Sequence, residues 1–289
     1  MPLSVRVHGT PSALSLRLRR TLAAASATIV LVGGLLTAAP ATAAAPLPTR
    51  MAALGDSITQ ASMTCSVLLL CPSYSWSTGS SATVASHATR LRAMGTSLTA
   101  YNDAVPGAVA ADLPGQARWA VAQRAQYVTI EIGANDACAD TVAGMTSTAS
   151  FAGSVQTTLA TLSAGASQPQ IFVASIPNLK RLWELNKSSL SARIAWAAFG
   201  FCDSMLAKPT STAAADVQRR GAVQQRVNEY NDALAAACAA TARCLFDGYA
   251  VANHAFTKAD ISTKDYFHPS VAGQRTLAAI TWAVSPYRP

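Results

Sequence analysis

Four short stretches of this chain hold residue types that together can carry out acyl transfer. Ser57 lies in "LGDSITQ", directly after the apolar run "MAAL". Gly107 lies in "NDAVPGAVAADL", Asn135 in "GAND", and Asp265 and His268 in "DYFHPS". A serine hydroxyl is a weak nucleophile and needs a base within hydrogen-bond reach. That base must be oriented, and the imidazolium it becomes must be stabilised, usually by a carboxylate. The tetrahedral intermediate carries an oxyanion that requires preorganised donors. The backbone N–H groups of Ser57 and Gly107 and the side-chain amide of Asn135 are the candidates. A competing reading makes Ser57 the N-cap of a helix that follows the strand.

The base is chosen from four histidines, His8, His87, His254 and His268. His8 falls in an N-terminal leader, His87 in an expected helix, and His254 in a stretch without a motif. His268 follows Asp265 by three residues, so one short loop can offer both side chains.

These residues need a scaffold that brings them to one edge. Apolar runs at 50–56, 97–104, 127–135, 170–178 and 243–249 read as strands. Three of them are nearly continuous, as in parallel strands covered on both faces. The stretches between read as helices. Val223, Val227, Tyr230 and Leu234 share one helix face, and Ser270 can cap a helix bearing Leu277, Ile280 and Val284. Alternating strands and helices give an α/β layered fold with a mainly parallel sheet. In such sheets, sites form beyond the carboxyl ends of the strands. Ser57 and Gly107 follow expected strands, Asn135 lies at the end of one, and the loop with His268 follows the last.

With those positions in place, the chain resembles the SGNH hydrolases, also called GDSL-type lipases and esterases. The resemblance is carried by "GDSIT" at 55–59, Gly107, "GAND" at 133–136 and "DYFHPS" at 265–270, in order and across most of the chain. It implies a three-layer α/β/α, flavodoxin-like fold with a five-stranded parallel sheet. It also implies Ser57 as nucleophile, His268 as base and Asp265 as its orienting acid, with Ser57, Gly107 and Asn135 forming the oxyanion hole. Ile58 stands where leucine is common in the first block. The six cysteines make secreted actinobacterial members the nearest likeness.

The leader supports export. Arg6, Arg17, Arg19 and Arg20 precede an apolar stretch and the small-residue segment "PATAAAP", the order of a secretory signal peptide. Cleavage near residues 43–45 makes 1–45 the signal peptide and 46–289 one hydrolase domain. An uncleaved anchor is the rival, and Arg19-Arg20 also admits twin-arginine export. Removing 1–45 leaves 18 basic and 14 acidic residues, a net charge of +4. That charge is mild and forms no run, so no nucleic-acid partner is expected. Cys65, Cys71, Cys138, Cys202, Cys238 and Cys244 are even in number, which in an exported chain argues for disulfides. Sequence does not choose among the pairings. Close spacing favours Cys65 with Cys71 and Cys238 with Cys244, which leaves Cys138 with Cys202. No C-x-x-C occurs, so zinc has little support, and neither a metal nor a cofactor is expected.

The expected activity is that of a monomeric, secreted serine esterase or lipase acting on a small-molecule or lipid ester. Segments 62–78 and 179–215 are long for connections, and such insertions are often functional. Their "CSVLLLC" loop and Trp/Phe-rich composition favour an acyl-chain site and transient contact with a lipid interface. Extra helix packed on the core is the plainer reading. The alternatives are a carbohydrate acetylesterase of the same fold and a non-catalytic module that binds cell-wall glycans. G-x-S-x-G, H-E-x-x-H, P-loop and G-x-G-x-x-G motifs are all absent.

Overall fold

The computed structural model describes residues 46–288. The expected signal peptide at 1–45 lies outside the described residues. Strands β1 (Arg50–Gly55), β2 (Thr99–Asn102), β3 (Tyr127–Glu131), β4 (Gln170–Val173) and β5 (Cys244–Phe246) form one sheet in the order β2-β1-β3-β4-β5. Every neighbouring pair is parallel. The connections hold α1 (His87–Ala93), α2 (Leu113–Ala122), α3 (Ala134–Ala137), α4 (Thr148–Ala164), α5 (Leu179–Asn186), α6 (Leu190–Phe199), α7 (Asp203–Leu206), α8 (Ala214–Ala239) and α9 (Val271–Ala283).

The three layers follow from the two-residue period of the strands. Ala52, Leu54, Val128, Ile130, Ile171 and Val173 point to one face, where α2, α4 and α8 supply Leu113, Phe151, Leu159, Val227 and Leu234. Met51, Tyr127 and Phe172 point to the other face, against Leu91 of α1 and Leu277 and Trp282 of α9. Both faces are therefore dry, which explains the nearly continuous apolar runs. All five expected strands form. Each is shorter than its apolar run, because the last residues leave the sheet to build loops above it.

The helices differ from expectation in detail. Val223–Leu234 lie within α8. Ser270 caps α9 by accepting from the Gly273 N–H at 3.1 Å. The inward face of α9 is Leu277, Ala278, Thr281 and Trp282, whereas Ile280 and Val284 are only half-buried. No regular helix follows Ser57, so the capping reading is wrong. Instead Gln60 N–H, Ala61 N–H and Ser62 N–H donate to Asp56 O, Ile58 O and Ser57 O in consecutive tight turns. The Asp56 carboxyl accepts from the Ile58 N–H at 2.8 Å, and Ala61 and Met63 take φ of 51° and 57°, which stops a helix from propagating.

The cysteines pair as Cys65–Cys71, Cys138–Cys202 and Cys238–Cys244. The 179–215 insertion folds as α5, α6 and α7. Its Trp183 and Trp196 are core residues, donating to Pro209 O and Tyr266 O respectively. Among the described residues no helix is long and apolar enough to cross a membrane.

The strand order places β2 and β3 on opposite sides of β1. The chain direction therefore switches beside β1 and opens a crevice between the carboxyl ends of β1 and β3. Ser57 leaves from one strand and Asn135 from the other.

Candidate active site

Ser57 is set by the end of β1. Gly55 has φ +145°, and a Cβ there would meet the Glu131 carbonyl oxygen at 2.2 Å, so only glycine lets β1 turn so close to β3. Two buried glutamines clamp the turn. Gln116 of α2 accepts from Gly55 N–H at 2.7 Å and donates to Gly55 O at 2.9 Å. Gln274 of α9 accepts from Trp76 N–H and donates to Ile58 O at 2.7 Å.

The Ser57 Oγ lies 2.8 Å from His268 Nε2. The His268 Nδ1 lies 2.5 Å from Asp265 Oδ2. Asp265 is fully buried, and its other oxygen accepts from the Phe267 and His268 N–H groups at 3.0 and 3.2 Å. An ionised carboxylate accepts only, so it fixes the Nδ1–H tautomer and leaves Nε2 free to accept from the serine hydroxyl.

A short loop can offer both side chains because Tyr266 adopts φ +56°. That conformation costs about 1–2 kcal/mol for a non-glycine residue and persists only if its surroundings enforce it. Tyr266 N–H donates to Ser262 O at 2.8 Å, Ser262 N–H donates to His268 O at 2.8 Å, and Trp196 Nε1–H donates to Tyr266 O at 3.0 Å. The insertion thus supports the loop that carries His268.

The oxyanion candidates converge on the same crevice. Among the described residues, neither the Ser57 N–H nor the Gly107 N–H is given to a protein acceptor. Gly107 has φ +80° with open space around its Cβ position, so backbone conformation rather than crowding calls for glycine. Asn135 Nδ2 donates to Ala108 O at 2.9 Å, which orients the amide and leaves its second hydrogen unused. Asp136 ties the two loops together by accepting from the Ala110 N–H at 2.9 Å.

Three acids sit behind this arrangement. Burial pushes the Asp56 carboxyl up to about 7, and the Ile58 N–H and His268 oppose that rise only in part. Burial and the neighbouring Asp56 hold Glu131 well above the usual carboxylate range. Burial also raises Asp136. Neither Glu131 oxygen has a hydrogen-bond partner among the described residues. Burial thus favours the neutral form of each acid, the form that places no negative charge behind the crevice.

Ser57 stands on the wall between two spaces. A deep apolar cleft runs beneath Leu179, Leu182 and Leu185 of α5 and past Phe256, Ile261 and Leu277. An open groove lies on the other side, with Gly107 and His268 on its walls and Leu68, Leu69, Leu70 and Phe201 around them. Ser57, Asn135 and Phe267 border both.

The lining of the deep cleft was not expected from sequence, although Leu179, Leu182 and Leu185 recur at helical spacing. The tryptophans of the insertion do not line it, since Trp183 is covered by Lys187 and Arg220, each 4.3 Å from its ring centre. His87 is structural: it bonds Tyr127 Oη and Thr281 Oγ1 at 2.8 Å each, and burial lowers its pKa to about 3. His254 packs edge-on against Phe256, with ring centres 4.6 Å apart.

Solved structures share the architecture. LAE5, an enzyme from the metagenome of Lake Arreo described as an alpha/beta hydrolase, aligns with 16% identity over 82% of this chain and 96% of its own, at a TM-score of 0.50. The extracellular lipase of Streptomyces rimosus aligns with 17% identity over 82% and 100% of the two chains, at a TM-score of 0.49. A variant of an acetyl xylan esterase from Geobacillus stearothermophilus aligns with 18% identity over 80% and 91%, at a TM-score of 0.48. No curated protein sequence matches the chain. The model of the GDSL-like lipase/acylhydrolase family matches residues 53–276, which take in the end of β1 with Ser57, the Gly107 and Asn135 loops and the Asp265–His268 pair; the chain belongs to that family, the SGNH hydrolases.

Proposed function

We propose that this protein is a secreted serine esterase that hydrolyses lipid or simple acyl esters through an acyl-enzyme. The observation that carries the reading is the hydrogen-bonded series Ser57–His268–Asp265, opening directly onto an apolar cleft. His268 Nε2 takes the Ser57 proton as Oγ attacks the carbonyl carbon. The oxyanion settles against the Ser57 and Gly107 N–H groups and the Asn135 amide. The imidazolium, stabilised by Asp265, returns its proton to the leaving alcohol. Water then repeats the cycle on the acyl-enzyme with the same base. The acyl chain lies in the deep cleft and the alcohol portion in the open groove. Export is supported by three disulfides, which persist in oxidising compartments.

The experiment is hydrolysis of p-nitrophenyl esters of graded chain length, with acetylated xylan alongside, by the parent protein and Ser57→Ala. Turnover of the p-nitrophenyl esters, lost in Ser57→Ala, is expected. No turnover of any substrate removes the esterase reading, and full activity in Ser57→Ala removes Ser57 as nucleophile. Cleavage of acetylated xylan alone moves the substrate class to carbohydrate esters.

A further inference from the structure

Around the open groove the protein exposes apolar side chains that its own core does not use. Val67, Leu68, Leu69 and Leu70 are 46, 75, 55 and 51% exposed, four in succession on one loop. Across the groove, Phe199 stacks on Phe201 at 5.1 Å, and Phe201 stacks on Phe267 at 5.2 Å. The same helix, α6, also exposes Leu190 and Ile194. Isolated exposed leucines are ordinary, but a contiguous patch beside a site marks a contact surface.

We infer that this rim docks the protein on a phospholipid surface and so delivers ester from that surface to Ser57. The inference rests on the esterase reading for its purpose, though not for its test. Three features favour lipid. The loop is held open rather than collapsed: Cys65–Cys71 closes it, Leu68 has φ +56°, and Met63 N–H and Cys71 N–H donate to Leu69 O and Gln60 O. A rim already ordered needs little further ordering on contact. Charge is also right for an anionic or zwitterionic surface. Residues 57–89 contain no Asp, Glu, Lys or Arg, and between Glu184 and Asp203 the only charged residues are Lys187 and Arg193. Finally, the exposed Leu68, Leu69 and Leu70, with the half-buried Phe201, also form the wall of the groove that holds His268. A surface pressed on the rim therefore meets the groove. A second copy of the chain fits less well, because a stable dimer buries on the order of 1,200–2,000 Å² and these few side chains supply a fraction of that.

The test uses the Ser57→Ala protein, so that binding is read without hydrolysis. Co-sedimentation with phosphatidylcholine vesicles and with mixed phosphatidylcholine–phosphatidylglycerol vesicles is expected. Leu68→Asp, and Leu69→Asp as a second variant, should weaken partitioning by about tenfold or more, since each puts a charge where an exposed apolar side chain would enter the lipid. Val67→Asp in the active protein should also release it from vesicles while keeping turnover of soluble p-nitrophenyl acetate, because Val67 is not part of the groove wall. Parent-like vesicle binding by the aspartate variants overturns the inference. So does a parent that stays in the supernatant, binding confined to phosphatidylglycerol and abolished by salt alone, or a dimer that Val67→Asp converts to monomer. Failure of vesicle binding with soluble-ester turnover intact leaves the esterase reading standing. Vesicle binding without turnover of any ester leaves the rim standing and removes the esterase.

Discussion

Replacing Asp265 by asparagine tests the proposed triad most sharply, because the outcome follows from counting hydrogen bonds. Asp265 accepts three times: from His268 Nδ1, and from the Phe267 and His268 N–H groups. An asparagine has one oxygen for these sites. If that oxygen faces Nδ1, the amide NH₂ is driven against two backbone N–H donors. Orphaning them costs about 1–3 kcal/mol each. If the oxygen faces the backbone, the NH₂ donates to Nδ1, and every group is satisfied. The second arrangement wins, and it forces His268 to carry its proton on Nε2, pointing at Ser57. The nucleophile then has no base. A base locked in the wrong tautomer costs about 10³–10⁴ in kcat, or about 4–5.5 kcal/mol of barrier. The assay is steady-state hydrolysis of a soluble p-nitrophenyl ester, with the urea midpoint measured to show that Asp265→Asn is folded. KM should stay near the parent value, because Asp265 is buried away from the groove. His268→Ala should lose still more kcat, since it removes the base itself. Asp265→Asn retaining more than about one tenth of parental kcat, or falling below His268→Ala, would refute the reasoning.

Asn135→Ala should lower kcat by about 10²–10³ with little change in KM, as expected for a donor used only in the transition state; equal losses in kcat and binding would assign Asn135 to substrate binding instead. The Asp56 carboxyl titrates near 3.8 in the unfolded chain and about 7 in the fold, so the native state binds more protons between those values. Stability should therefore fall as pH rises from 4 toward 7, by at most about 1.4 kcal/mol per pH unit from this group. Urea unfolding of Asp56→Asn across that range should show a shallower slope, and an unchanged slope would place the proton elsewhere. Mass spectrometry of the unreduced protein should find no free thiol, and removing Cys138–Cys202 should cost about 4 kcal/mol for its 64-residue separation. Two or more free thiols would undo the three-bridge arrangement.

The parts legible in the sequence were those with a short-range signature. The strands announced themselves because both faces of β1 and β3 are covered, and Ser57, Gly107, Asn135 and His268 because each sits where a strand or loop must end. What escaped was whatever depends on a distant partner. Leu179, Leu182 and Leu185 read equally well as core or as cleft, and only the segment around Phe256 and Ile261 leaves the space that makes them a lining. Trp196 belongs to the Trp/Phe-rich composition that favoured an acyl site, but it is buried and its indole N–H is committed to Tyr266 O. Gln116 and Gln274 carry no motif at all; they matter because Gln116 satisfies both backbone groups of Gly55, while Gln274 joins Ile58 O of the Ser57 turn to the Trp76 N–H of a distant loop. The turn after Ser57 defeated the helix expectation because Ala61 and Met63 adopt φ of 51° and 57°, left-handed conformations that no right-handed helix continues through.

The wall that Ser57 shares with both spaces also imposes an order on events. Under the proposed mechanism, an acyl chain lodged under α5 sends the alcohol out through the open groove, the space by which water would then arrive. Departure and arrival use one doorway, so hydrolysis waits on the first product clearing it. Any small alcohol in the groove stands where water would stand. Under the proposed mechanism, the protein therefore partitions its acyl group between water and other hydroxyls according to what occupies that doorway.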